Sequence, residues 1–78
     1  MSMENQLLSL KQVAKITGVS PATVNYYTNI GLFKVAERQG NSRFYDRKIT
    51  LERLRKVKEL RKRGYSLSLV KQMLTGGA

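Results

Sequence analysis

The side chains best equipped for chemistry in this sequence are cations. Lys34, Arg38, Arg43, Arg47 and Lys48 lead into Arg53, Arg55, Lys56, Lys58, Arg61, Lys62 and Arg63, so twelve basic residues fall between positions 31 and 64. Glu37, Asp46, Glu52 and Glu59 reduce that segment only to +8, while residues 1–30 and 65–78 each carry +1 of the total +10. Guanidinium and ammonium groups at this density donate hydrogen bonds and charge to an anionic polymer; they do not transfer protons near neutral pH. The sequence contains no His and no Cys, which excludes zinc fingers, Cys–His metal sites, disulfides and thiol or imidazole catalysis. No enzyme activity, cofactor or metal is expected. A charge run on its own is often just a solvated helical face. A pI near 10.4 with 41% hydrophobic residues favours instead a folded domain that meets a polyanion, nucleic acid first of all.

The frame that must position these groups is small. Seventy-eight residues allow one domain, with an ordered core expected over about 8–74. Met1 to Gln6 is polar and does not read as a signal peptide, and the apolar runs are far too short to cross a bilayer. A cytoplasmic, nucleoid-associated chain with no membrane partner is the expectation, and the absence of Cys fits it.

Start and stop signals divide the chain into helices and a hairpin. Leu7 to Leu10 is either an edge strand or the lead-in to a helix. Lys11 to Thr17 reads as a first helix with Val13, Ala14 and Ile16 as its buried stripe, stopped by Gly18. Ser20 followed by Pro21 starts a second helix that runs to about Asn29 and is closed by Gly31. Only Gly18, Val19 and Ser20 separate the two, the short Gly-containing link of a helix-turn-helix. Phe33–Glu37 and Arg43–Tyr45 flank the turn-rich Gln39–Ser42 and predict a two-stranded hairpin with Arg38 and Arg43 projecting into solvent. Thr50 is the expected cap of a third helix, with Glu52 in its first turn. Its Leu51, Leu54, Val57 and Leu60 recur every third residue, a stripe that drifts and must touch more than one neighbour. Gly64 ends it. Ser66 caps a fourth helix bearing Leu67, Val70, Met73 and Leu74, and Thr75–Ala78 is expected to fray. The expected fold class is mostly α: a winged helix-turn-helix of four helices with a two-stranded β-hairpin wing.

Several strings, in order, carry a likeness to a known family: Val13-Ala14-Lys15, Thr17-Gly18-Val19-Ser20-Pro21, Thr23-Val24, Tyr26-Tyr27, Gly31-Leu32, Arg43-Phe44-Tyr45, Leu51-Glu52-Arg53-Leu54 and Gly64-Tyr65-Ser66-Leu67. From about Leu8 to Leu74 the chain resembles the DNA-binding domain of the MerR family of bacterial transcription regulators. The resemblance implies a second helix in the DNA major groove, with the hairpin wing and the later helix pair on the flanking backbone. It also implies a two-fold dimer on promoter or operator DNA. The family's long dimerisation helix and effector domain are expected to lie outside these 78 residues, which alone would be monomeric. Asn25 stands where the family usually has a basic residue and Thr28 where it has an acidic one, and Asp46–Thr50 looks one residue longer than usual before the third helix.

The second helix, Ser20 to Asn29, carries no charged side chain. Direct readout would rest on Asn25, Asn29, Thr23 and Tyr26, since Asn can pair bidentately with the N6/N7 edge of adenine and the methyls of Thr23 or Ala22 can meet a thymine methyl. An ordinary solvent-facing role is as good an account of Asn25. Tyr26 is a candidate for phosphate through its hydroxyl, whereas Tyr27, three residues from Val24, is expected to be half-buried although it stays among the candidate contacts. Ser20 caps its helix with or without DNA, and a helix N-terminus also favours phosphate. Arg43 resembles the family's backbone-gripping Arg; its alternative is a cross-strand pair with an acid such as Glu37. Lys34 and Arg38 are further wing candidates, and Tyr45 at the wing base completes that group. Tyr65 resembles the residue by which the link after Gly64 touches backbone, with a packed aromatic as its alternative. Phe33, Phe44, Leu32, Leu54 and Val57 are assigned to the core.

The function expected from all this is sequence-specific binding of double-stranded DNA as part of a MerR-like regulator. Two alternatives stay open: a stand-alone excisionase-like architectural DNA-binding protein, and a basic module that meets acidic protein or RNA.

Overall fold

The computed structural model describes residues 6–76. Among them the order is β1 (Leu7–Ser9), α1 (Leu10–Thr17), α2 (Pro21–Asn29), β2 (Glu37–Gln39), β3 (Ser42–Asp46), α3 (Arg47–Lys62) and α4 (Leu67–Thr75). The winged helix-turn-helix is present, with one addition. The wing is the edge of a three-stranded antiparallel sheet in the order β1-β3-β2, because Leu8 pairs with Tyr45 and Ser9 with Phe44. The stretch with two possible readings, Leu7 to Leu10, is therefore a strand that turns directly into a helix.

Local chemistry explains each boundary. Ser9 forms a capping box: its hydroxyl accepts from Gln12 N at 3.2 Å while Gln12 Oε1 accepts from Ser9 N at 2.8 Å. This places the start of α1 at Leu10, one residue before the expected Lys11. Gly18 closes it in the left-handed conformation (φ 77°), with its N–H on Ala14 O. Ser20 accepts from Thr23 N at 3.1 Å, and Pro21 occupies the first turn of α2, as expected.

The expected cap of α3 is corrected. Asp46, not Thr50, accepts from a helical N–H, that of Ile49 at 2.9 Å, so α3 begins at Arg47 and Thr50 is buried inside it. A carboxylate at the cap also suits the helix dipole better than a hydroxyl. Asp46–Thr50 is thus a cap and a first turn rather than a lengthened loop. Ser66 caps α4 as predicted, and Gly76 ends it at φ 81°. Residues 77–78, part of the stretch expected to fray, lie outside the described residues, as do residues 1–5.

The hairpin is tighter than predicted. Its strands are Glu37–Gln39 and Ser42–Asp46, and the segment Phe33–Ala36 precedes it as irregular chain. Gln39 pairs with Ser42 across the two-residue loop Gly40-Asn41. Gly40 has φ 61° and no non-Gly residue has a positive φ, the pattern of a type II′ turn.

Two apolar clusters meet along α2 and α3. The first joins Leu8, Val13, Ala14, Val24, Phe33, Tyr45 and Leu54, and the second joins Leu32, Val57 and Val70. Tyr27 packs against both. The drifting stripe of α3 behaves as predicted, since Leu54 enters the first cluster and Val57 the second. Two core assignments change. Ile16 is 45% exposed, and Phe44 belongs to neither cluster because the pleat turns its neighbour Tyr45 inward instead.

Candidate nucleic-acid interface

Packing decides which side of α2 faces out. Val24 is fully buried, and Tyr27 sets its ring edge-on to Phe33 with centroids 5.4 Å apart and planes at 89°. With that side held in the core, the opposite stripe, Ala22, Asn25, Tyr26 and Asn29, is exposed. The spacing i, i+3, i+4, i+7 makes it one continuous helical face. It is polar and uncharged, with Tyr26 at 52% exposure the largest side chain on it.

A cation reaches that face from the wing. Arg43 and Tyr45 are two apart on β3, so both project from the same side of the sheet. That side lies against α2. The Tyr45 hydroxyl is 2.8 Å from Thr28 Oγ1. One nitrogen of Arg43, Nη1, donates to Asn25 Oδ1 and to Asn29 Oδ1, each at 3.3 Å. Arg43 is half-buried by this arrangement and does not project freely into solvent as expected. Glu37, its suggested acidic partner, faces Phe44 in the register and accepts from Gln39 Nε2 at 3.1 Å.

Arg38 stands directly opposite Arg43 across the hairpin. Like charges in directly opposed positions disfavour a hairpin. No carboxylate offsets them: among the described residues the one ion pair is Glu59–Arg63, 3.7 Å apart on the surface of α3. The hairpin therefore holds Arg38 and Arg43 in opposed positions, with neither in an ion pair among the described residues.

The other predicted residues fall in several places. Ser20 and Thr23 lie at the start of α2 with their hydroxyls 2.9 Å apart. Tyr45 is a correction: its side chain is fully buried, because the face of β3 that it shares with Arg43 lies against α2, and it packs in the first core cluster. Tyr27 is half-buried between the clusters. Lys34 is exposed but lies outside the hairpin, beside a cleft shared with Gly31, Leu32, Arg53 and Thr75. Tyr65, 37% exposed, sits in the link between α3 and α4, where its carbonyl accepts from Arg61 Nη1 at 3.1 Å.

Two residues that sequence reasoning gave no role belong here. Thr28 ties α2 to the sheet through Tyr45. Lys11, with Ser9, Asn25, Ser42 and Arg43, lines an open groove of about 370 Å³ between α1, α2 and the wing. Nothing local in the sequence signals either, since Tyr45 lies 17 residues from Thr28 and the groove residues around Lys11 are spread over three other elements.

Residues 8–77 match the sequence pattern of the MerR HTH family of regulatory proteins. The chain belongs to the MerR family. It is 37% identical over 65 residues to the HTH-type transcriptional regulator CueR of Bacillus subtilis, covering 83% of this chain and 45% of CueR. It is 33% identical over 66 residues to the nodulation protein NolA of Bradyrhizobium elkanii, covering 83% of this chain and 30% of NolA. The chain thus spans less than half the length of these MerR-family relatives. No solved structure gives a significant match. The MerR family is one of DNA-binding transcription regulation and not an enzyme class. No helix among the described residues is long and apolar enough to cross a membrane.

Proposed function

We propose that this chain binds double-stranded promoter or operator DNA sequence-specifically as the DNA-binding domain of a MerR-type transcription regulator. The exposed face of α2, Ala22, Asn25, Tyr26 and Asn29, enters the major groove. Its width admits one helix, and its base edges offer the donors and acceptors that carboxamides read. Arg38 and Arg43 of the wing take backbone phosphates, and Tyr65 at the α3–α4 link touches the backbone beyond. Phosphate contacts supply the greater part of the affinity and α2 supplies the selectivity. The observation that carries this is the wing: two opposed arginines, neither in an ion pair among the described residues, stand beside an exposed, uncharged helix face. An anion alongside that hairpin relieves the repulsion between them.

In the whole regulator, dimerisation and sensing belong to further segments, and the protein works in the cytoplasm, at the nucleoid, as a homodimer. No His or Cys is present to sense a metal or thiol signal within these 78 residues. Titration of labelled duplexes over a salt series tests the proposal. The expected result is binding whose logarithm falls linearly and steeply with the logarithm of salt, together with a preference among duplex sequences. Affinity indifferent to salt, or stronger binding to structured RNA than to any duplex, overturns it.

A further inference from the structure

The bridge from Arg43 to the two asparagines constrains what α2 can read. A guanidinium has donors only, so the carboxamide atom that faces it is oxygen in both Asn25 and Asn29. One nitrogen with two hydrogens serves both. A carboxamide is planar, so holding Oδ1 toward the wing directs Nδ2 away from it. Neither Nδ2 has an acceptor among the described residues, and both side chains are exposed. The outer face of α2 therefore presents two free N–H₂ groups four residues apart.

We propose that Arg43 is a positioning residue for base readout. It holds Asn25 and Asn29 as hydrogen-bond donors, so that α2 selects acceptor-rich base edges, guanine N7 and O6 foremost, over the adenine edge. Adenine N6/N7 pairing needs a carboxamide to accept and donate on one edge together. Here each Oδ1 is turned toward the wing with one of its two lone pairs occupied, so it is not aligned beside Nδ2 on the base edge. Guanine offers two acceptors in the major groove and no donor there, which suits a pair of amino groups. The same guanidinium keeps Nε and Nη2 available for a phosphate, so positioning and backbone contact are compatible. The specificity of the helix is then set by a residue that lies on the wing.

This inference rests on the proposed placement of α2 in the major groove. Arg38 is the natural control, because it carries the same charge on the same hairpin and makes no bond to α2. Wild type, Arg43→Ala and Arg38→Ala are compared in selection from a random duplex pool, and in the free protein through the side-chain amide NMR signals of Asn25 and Asn29. Both variants are expected to weaken binding to all duplexes. Only Arg43→Ala is expected to move the Asn25 and Asn29 amide signals and to shift guanine preference toward adenine, by about tenfold at the positions under these residues. Unmoved amide signals, or a base ranking unchanged in Arg43→Ala while affinity falls as in Arg38→Ala, overturn the positioning role and leave DNA binding standing. A wild-type protein that selects no duplex overturns both.

Discussion

The Tyr45 hydroxyl lies 2.8 Å from Thr28 Oγ1 and ties the sheet to α2. The direction of that bond follows from its neighbour. Thr28 has one hydroxyl hydrogen, and it goes to Val24 O at 2.8 Å. Tyr45 therefore donates and Thr28 accepts. The pair joins α2 to the face of β3 from which Arg43 reaches Asn25 and Asn29.

Tyr45→Phe should cost about 1 kcal/mol, the net value of one such bond in a site already packed. Urea denaturation followed by circular dichroism reads this directly. The double-mutant cycle with Thr28→Val should give a coupling energy of at least about 0.5 kcal/mol. Strict additivity of the two substitutions rules the bond out as a source of stability.

Ser20→Ala removes the acceptor for Thr23 N at the start of α2 and should destabilise by about 1 kcal/mol. For a domain of this size, that lowers the melting temperature by roughly 4–8 °C. An unchanged melting curve means Pro21 alone holds the helix start.

Asp46→Ala tests where α3 begins. Loss of the cap on Ile49 N should also cost about 1 kcal/mol, whereas Thr50→Ser, which keeps a hydroxyl at the buried position, should not affect helix initiation. Hydrogen exchange at Ile49 N–H separates the two, and faster exchange is expected in Asp46→Ala only.

Val57→Ala opens the smaller cluster between α3 and α4, where Val57, Leu32 and Val70 are all buried. Two lost methyl groups and the resulting void should cost about 2 kcal/mol. The fourth helix has few other contacts, so amide exchange in Leu67–Thr75 should rise more than in α2. Equal acceleration in both helices argues instead for one cooperative unit.

Removing Arg38, the wing cation that makes no bond to α2, should weaken DNA binding evenly across sequences. Arg38→Ala is expected to reduce the salt slope by about 1. A slope identical to the wild type means that Arg38 faces no phosphate.

Much of this organisation is legible in the residues alone, wherever the controlling interaction is local. Ser20-Pro21 starts α2, Gly18 ends α1 and Ser66 starts α4, because each cap acts on backbone groups no more than four positions away. Ser9 and Gln12 had the same local signature at the start of α1. Asp46 and Thr50 compete as caps by type, and the contest is resolved by the strand that ends at Asp46. Ile16 and Phe44 are apolar residues that the pattern assigns to the core, while the sheet and the helix rotation leave one exposed and the other outside both clusters.

The amino-acid sequence determined the order of the elements, a basic excess confined to residues 31–64 and a second helix without a single charge. Composition and short-range backbone chemistry suffice for all three. Tertiary structure alone decided that this helix is not uncharged in effect. Pairing of β1 with β3 and the Tyr45–Thr28 bond lay one face of β3 against α2, and the two-residue pleat puts Arg43 on that face beside Tyr45. Helical spacing joins positions 25 and 29, but position 43 lies 18 and 14 residues from them, too far for any local rule. Their meeting depends on three-dimensional packing, which is where the grip and the reader become one surface.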